Sequence, residues 1–481
     1  MDTKNGTILE KTQSICPVCE RPVDAYYVER DGSVYFEKHC RRHGTCSTIV
    51  AENAEDYREW IKNPVINIPP AKPLTGGDRR DRSCPLHCGT CRNHLQTACC
   101  VLIDITERCN QHCPYCFAGS AENAGKKDIP IEEIEKKLDL LLELGEERAF
   151  NIQLSGGEPT VREDLPEIIR MTKAKGFEYV QINSNGRRLA LEEGYAERLK
   201  EAGASVIFMQ FDGTRDDIYM KLRNEPLFDM KVKAIRNCEK AGLPVTLVPT
   251  IVKGVNTDNI GEMMDFLLAN VNVVKGIHFQ PVSFFGRHPE QASGEESRQG
   301  AAKASPAMSG DFPGRISMFD LLRELERQRP QFSYGDFCPI ATGHTLCCFY
   351  STYIREPDGS ARCTLTPARR EAGIACCDTT DRNEVIRRDR DFVVNKWEIV
   401  PPEEQEEADK PQYSSSAEIT SLDEFLHYYS RNMFTVTGMA FQDITNLDAA
   451  RVKRCRVQVL SPDNRLIPFC AYNSIYREVR K

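Results

Sequence analysis

The middle of the chain predicts an α/β fold on a parallel sheet, closed or partly closed into a barrel. Two observations predict it. Six apolar, strand-like runs recur from about residue 98 to 282 of a 481-residue chain, and a helix-spaced segment falls in each of the five intervals between them. Such alternation implies consecutive right-handed β-α-β units. The strands are CCVLIDI (99–105), AFNIQLS (149–155), EYVQINS (178–184), SVIFMQF (205–211), PVTLVPTIV (244–252) and GIHFQPVS (276–283). The helices are IEEIEKKLDLLLEL (131–144), REDLPEIIRMTKAKG (162–176), LEEGYAERLKEAG (191–203), PLFDMKVKAIRNCEKAG (226–242) and NIGEMMDFLLANV (259–271). Sites in such sheets lie at the carboxyl ends of the strands.

The flanks divide around this 98–287 core. Residues 1–75 hold a compact Cys/His knuckle, in which ERDGSV reads as a hairpin turn, and a Pro-rich connector; 76–97 carry a second cysteine group, CPLHCGTC. Residues 288–315 are poor in apolar side chains and read as a linker, and 316–481 form a C-terminal region with eight further cysteines. An acidic stretch, PPEEQEEADKPQYSSS, interrupts that region at 401–416.

Against 63 Lys+Arg stand 71 Asp+Glu, a net charge of −8, which argues against a general nucleic-acid binder. The amino terminus is polar and no apolar run spans a bilayer, so a cytoplasmic protein is expected, with surface binding to a membrane left open. Twenty-one cysteines without an export signal point to metal or redox chemistry before disulfides. Lone Cys238 and part of the doublets Cys99-Cys100, Cys347-Cys348 and Cys376-Cys377 fit as small buried hydrophobes.

Just after the first strand, DITERCNQHCPYCFAGS places Cys109, Cys113 and Cys116 on a C-x3-C-x2-C spacing. Thiolates on one short loop can each ligate one iron of a [4Fe–4S] cube, leaving the fourth iron without a protein ligand. An open position of this kind binds substrate or cofactor. The other reading is a zinc knuckle completed by His112 or a distant residue. After the second strand, LSGGEP brings Gly156, Gly157 and Glu158, which allow close backbone approach and hydrogen bonding to an ammonium group.

The three-cysteine loop after one strand and GGEP after the next resemble the radical S-adenosylmethionine (SAM) superfamily, whose partial (β/α)6 barrel matches the six-strand alternation. The resemblance implies that SAM chelates the open iron through its methionyl amino and carboxylate groups. One electron from the cluster then cleaves it to methionine and a 5′-deoxyadenosyl radical, which removes hydrogen from an unactivated C–H bond. It further implies that Gly156, Gly157 and Glu158 contact the methionine portion, and that Asn183, Ser184, Gln210 and Asp212 reach the ribose or carboxylate. Arg223 pairs with a carboxylate or is a solvated helix residue.

The remaining cysteines resemble the branch that contains archaeal tetraether lipid synthase and the dihydropterin methyltransferase. On that resemblance Cys16, Cys19 and Cys40, with Cys46 or His43 fourth, hold a mononuclear iron or zinc ion. Cys84, Cys88 and Cys91 hold an auxiliary [4Fe–4S] cluster, completed by His94, Cys99 or Cys100. A further auxiliary cluster draws on Cys338, Cys347 or Cys348, Cys363 and Cys470, with Cys455, Cys376 and Cys377 as spare thiols. The implied activity is bond formation at an unactivated carbon. C–C coupling of lipid chains is favoured, with DFCPIATGHTLCCFYSTYI and MFTVTGMAFQDI as apolar tunnel segments. Methyl transfer to a pterin-like molecule is the alternative, and an iron–sulfur electron carrier without SAM chemistry is a third reading. The implied partners are a small-molecule or lipid substrate and a ferredoxin- or flavodoxin-type donor.

Overall fold

In a computed structural model, residues 6–70, 84–89, 91–120, 128–145, 150–289, 312–365, 428 and 430–477 are described. Cys376, Cys377 and the acidic 401–416 stretch lie outside them.

The amino-terminal knuckle is a four-stranded antiparallel meander: β1 (Thr7–Ile15), β2 (Pro22–Arg30), β3 (Ser33–Cys40) and β4 (Gly44–Ala51). The expected ERDGSV turn joins β2 to β3, with Asp31 and Gly32 at positive φ. Helix α1 (Ala54–Trp60), capped by the Asn53 side chain on the Glu55 N–H, buries Tyr57 and Trp60 beneath the meander.

The six predicted strands form and pair in parallel: β5 (Cys100–Thr106), β6 (Asn151–Gly156), β7 (Val180–Ser184), β8 (Val206–Gln210), β9 (Val245–Val248) and β11 (Val274–Pro281). A two-residue strand, β10 (Thr250–Ile251), pairs beside the end of β11. All five predicted helices are present as α2 (Ile131–Leu144), α3 (Leu165–Ala174), α5 (Tyr195–Ala202), α7 (Phe228–Lys240) and α8 (Ile260–Ala269). Two short helices, α4 (Arg187–Leu191) and α6 (Asp216–Arg223), go beyond the prediction. The helices cover one face of the sheet, where Ile103, Ile152, Leu154, Ile182, Ile207, Leu247 and Ile277 are 0–1 % exposed and form the main core. Truncating one such side chain, Leu154→Ala, is expected to lower stability by about 2–5 kcal/mol, measured by denaturant unfolding.

The C-terminal region adds strands to both edges of this sheet. On one edge β14 (Met433–Met439) runs parallel to β11, followed by antiparallel β12 (Cys348–Arg355) and β13 (Ala361–Cys363). On the other, β15 (Val457–Leu460) lies parallel to β5 and pairs with β16 (Leu466–Pro468). The parallel run is therefore β15-β5-β6-β7-β8-β9-β11-β14, and the sheet is open among the described residues. The two segments expected to line a tunnel end in strand β12 and begin with strand β14, respectively. Their apolar Phe434, Val436 and Tyr353 are spent in the main core, and register places Thr435 and Thr437 on the opposite face.

Candidate cluster and cofactor site

The loop carrying Cys109, Cys113 and Cys116 starts where β5 ends, at the carboxyl rim. Three separate contacts hold its backbone. At its start, the N–H groups of Gly157 and Glu158 donate to the carbonyls of Thr106 and Arg108 (2.8 Å each). A Cβ on Gly156 or Gly157 would lie 2.1 Å from those same carbonyls, so Gly157 is required by contact and Gly156, at φ 130°, by both contact and backbone conformation. In its middle, Arg223 donates to the Tyr115 carbonyl (2.8 Å). At its end, Cys116 and Arg287 exchange both backbone hydrogen bonds (3.0 Å), while the Arg287 Nε donates to the Cys113 carbonyl (2.8 Å). Gly286, at φ 52°, leaves no room for a Cβ, which would meet the Cys116 and Phe117 carbonyls at 2.6 Å.

The fit of a three-thiolate cluster is supported by two features. The thiols interact with one another, and partial burial pushes Cys109 up to about 12 and raises Cys113, so the thiolate form there calls for a cation. His112, the alternative fourth ligand, is exposed and its Nε2 accepts from the Arg287 Nη1 (3.2 Å).

Behind the glycines, Glu158 is 2 % exposed. Its carboxylate accepts from the Thr160 hydroxyl (2.6 Å) and N–H (3.1 Å), the Ser184 hydroxyl (2.8 Å) and the Asn185 N–H (2.6 Å). Burial raises its carboxyl pKa against the pull of these donors. Glu158 and Ser184 thus tie the GGEP turn to the end of β7. Asp212 is likewise committed: Arg223 donates through Nε and Nη2 to its two oxygens (2.7 Å each), and the Thr250 N–H adds a third bond (3.1 Å). The Gln210 amide also donates to it. Arg223 is therefore a buried ion-pair partner, not a solvated helix residue. Of the residues expected at the cofactor, Asn183 and Gln210 keep partly exposed side chains on the open face of the sheet.

Sequence reasoning missed Lys231, which is fully buried on α7 and donates from Nζ to the Asn185 carbonyl (2.5 Å) and the Gln210 Oε1 (3.0 Å). Burial lowers its pKa to about 8. It also missed Gly286 and Arg287, for which the only signal is a glycine-basic pair just past the last strand.

The sheet face away from the helices is polar. Register and alternation place Asp104, Gln153, Gln181, Asn183, Phe208, Gln210, Thr246, His278, Gln280 and Thr437 on it. Most of these are partly exposed, whereas their neighbours in sequence are buried among the helices.

In the knuckle, Cys16, Cys19, Cys40 and His43 place one ligand atom each within 4.8 Å of one another. Cys46, the other expected fourth ligand, is corrected: it stands opposite Lys38 two residues into β4, and its thiol points to the Thr445 carbonyl at 3.8 Å. The turn before β4 presents His43 instead. N–H groups of Arg42 and His43 hold the Cys40 thiol at about 6, within reach of the thiolate form. Three sulfurs and an imidazole suit tetrahedral zinc. Metal analysis is expected to find one ion here that Cys19→Ser removes while leaving the iron at Cys109, Cys113 and Cys116 in place.

The auxiliary thiols fall out differently from the expected sets. Cys84 and Cys88 hydrogen-bond, and Cys88 feels Cys91 and Cys455. His94 is turned to the Cys455 carbonyl (2.9 Å) and the Cys99 thiol to the Arg456 carbonyl (3.7 Å), while Cys100 is buried on β5. Cys455, expected only as a spare, interacts with Cys470 and Cys347 as well as with Cys88. Cys347 faces Arg451 (3.4 Å) together with Cys470, whereas Cys338 and Cys363 pack in a separate small cluster with Tyr350 and Leu365. Cys348, the alternative to Cys347, is buried and interacts with both Cys347 and Cys338.

Comparison with known proteins follows these features. The family model described as the Radical SAM superfamily matches residues 103–267, and that described as the HMPTM N-terminal zinc ribbon domain matches 8–52. The chain is 31 % identical, over 98 % of its length and 94 % of the relative's, to 7,8-dihydro-6-hydroxymethylpterin dimethyltransferase of Methanocaldococcus jannaschii. It is 32 % identical over 41 % of its length and 49 % of the relative's to Fe-coproporphyrin III synthase of Methanosarcina barkeri. Among solved structures, Streptococcus suis SuiB bound to precursor peptide SuiA aligns with 50 % of this chain and 47 % of that one, at 14 % identity and a TM-score of 0.37.

Proposed function

The chain belongs to the radical SAM superfamily, and on that footing we propose that it methylates a small, polar heterocycle of the pterin class. The observation that carries this reading is the polar open face of the sheet. Gln153, Asn183, His278 and Gln280 would lose their water to a bound alkyl chain without gaining hydrogen bonds, a cost of roughly 1–3 kcal/mol for each group left unpaired. A ring bearing amide and amine groups satisfies them instead. The relative matched over nearly the whole chain carries a pterin in its name, which supports the same choice over the lipid coupling that the sequence favours. No helix among the described residues is long and apolar enough to cross a membrane.

Within this reading Cys109, Cys113 and Cys116 would hold a [4Fe–4S] cluster. When bound, it and SAM supply the one-electron chemistry that opens an unactivated C–H bond. The protein's own part is positional. Gly156 and Gly157 bring backbone to the loop, Asn183 and Gln210 face the open side, and Lys231 and Arg223 place two cations beneath it. Superfamily members need a reductant, and a low-potential donor of ferredoxin or flavodoxin type is proposed here.

The test is anaerobic incubation of iron-loaded protein with SAM, a strong reductant and 7,8-dihydro-6-hydroxymethylpterin. A pterin heavier by one or two methyl groups is the expected product. Formation of 5′-deoxyadenosine with no methylated pterin would overturn the substrate assignment.

A further inference from the structure

We propose that His278 recognises the substrate ring: its Nε2 accepts a hydrogen bond from an N–H of a planar heterocycle lying against Phe208. The inference rests on the pterin-class reading above and names the residue that would enforce it.

His278 sits at the middle of β11 on the open face, paired in register with Thr437 of β14. Its Nδ1 lies 2.8 Å from the Thr437 Oγ1, and that hydroxyl donates its one proton to the Ile277 carbonyl (3.3 Å). With its proton on that carbonyl the threonine oxygen accepts from Nδ1–H, and this is the tautomer we assign to His278. Nε2 is left with its lone pair, and no hydrogen bond reaches it from the described residues. Burial lowers the pKa of the ring to about 4, so the imidazole stays neutral and Nε2 remains an acceptor through the neutral range.

The surroundings suit a flat ring. Phe208 approaches the imidazole with ring centroids 5.2 Å apart and planes inclined at 45°. Between them, on β9, Thr246 has Phe208 and Gly276 as its register neighbours. Thr246 is 3 % exposed and its Oγ1 makes no hydrogen bond. An aromatic wall and an acceptor nitrogen thus converge on one strip of the open face. A flat ring bearing an N–H would pair that nitrogen while lying against the wall, and a lipid chain would leave it unpaired.

The test is anaerobic equilibrium dialysis of the iron-loaded full chain against 7,8-dihydro-6-hydroxymethylpterin, with iron content recorded for each variant. H278F, which keeps the flat ring and deletes the acceptor, is expected to bind at least about tenfold more weakly. H278Q, whose amide oxygen can stand near the Nε2 position, is expected to stay within about threefold of the wild type. If H278F loses its iron, T437V replaces it: the imidazole remains but its tautomer is released, and binding is expected to weaken by about threefold. Wild-type affinity in H278F, or in T437V where that substitutes for it, would overturn the inference while leaving the pterin reading intact. Equal weakness of H278Q and H278F would do the same, because shape rather than the acceptor would then be at work. No binding by the wild type would overturn both.

Discussion

Gly157→Ala is expected to leave the protein folded but unable to hold the iron at Cys109, Cys113 and Cys116, a loss of about four irons per chain. The new Cβ would stand 2.1 Å from the Arg108 carbonyl oxygen and 2.7 Å from its carbon. Neither is the end of a flexible side chain, so the cysteine loop itself has to move. Because the Glu158 N–H donates to that same carbonyl, displacing it also breaks the bond that sets the loop against β6. Gly343→Ala is the control, since its Cβ would approach only the Ile340 carbonyl, at 3.5 Å. Iron and sulfide quantification with a circular-dichroism melt checks the outcome: iron falls in G157A and not in G343A. Full iron content in G157A would show that the loop tolerates a displaced backbone.

Arg223→Ala is expected to be among the most destabilising single changes, at about 3–5 kcal/mol. Asp212 is 0 % exposed and its two oxygens face the guanidinium; removing the cation strands a buried carboxylate. The Tyr115 carbonyl loses its donor in the same step, so the cysteine loop loosens as well. Denaturant unfolding of R223A against the double variant R223A/D212N separates the two effects. Neutralising Asp212 should recover a good part of the stability but not the iron content. A single variant within about 1 kcal/mol of the wild type would contradict the pairing.

Much of the barrel was legible because buried parallel strands read as continuous apolar runs. CVLI in β5 and VIFM in β8 need no partner in view to be recognised, and the helices between the strands carry 3.6-residue spacing. The edge strands were not legible. β14, with the sequence MFTVTGM, is apolar on one side and threonine-rich on the other, and its pairing with β11 is fixed by a partner 159 residues away, a distance that local pattern does not encode. At the site, cysteine spacing revealed the loop but not what holds it. Arg223 and Lys231 read as ordinary charges on amphipathic helices, and their burial depends on which carboxylate or carbonyl the sheet brings beneath them. Glu158 and Asp212 show the converse limit. Acids at strand ends suggest ligand contacts, yet here their oxygens are filled by protein donors. Cys46 and His43 differ by three residues, and only the hairpin geometry decides which of them turns toward Cys16, Cys19 and Cys40.

The account depends on Cys109, Cys113 and Cys116 presenting a cluster with one iron left for SAM. The most direct test is the yield of 5′-deoxyadenosine from SAM under strong reductant, with wild-type and Cys109→Ala protein reconstituted side by side without oxygen. Formation by the wild type and none by the variant is the predicted result. Absence from both, with the three thiols found on zinc, would contradict it.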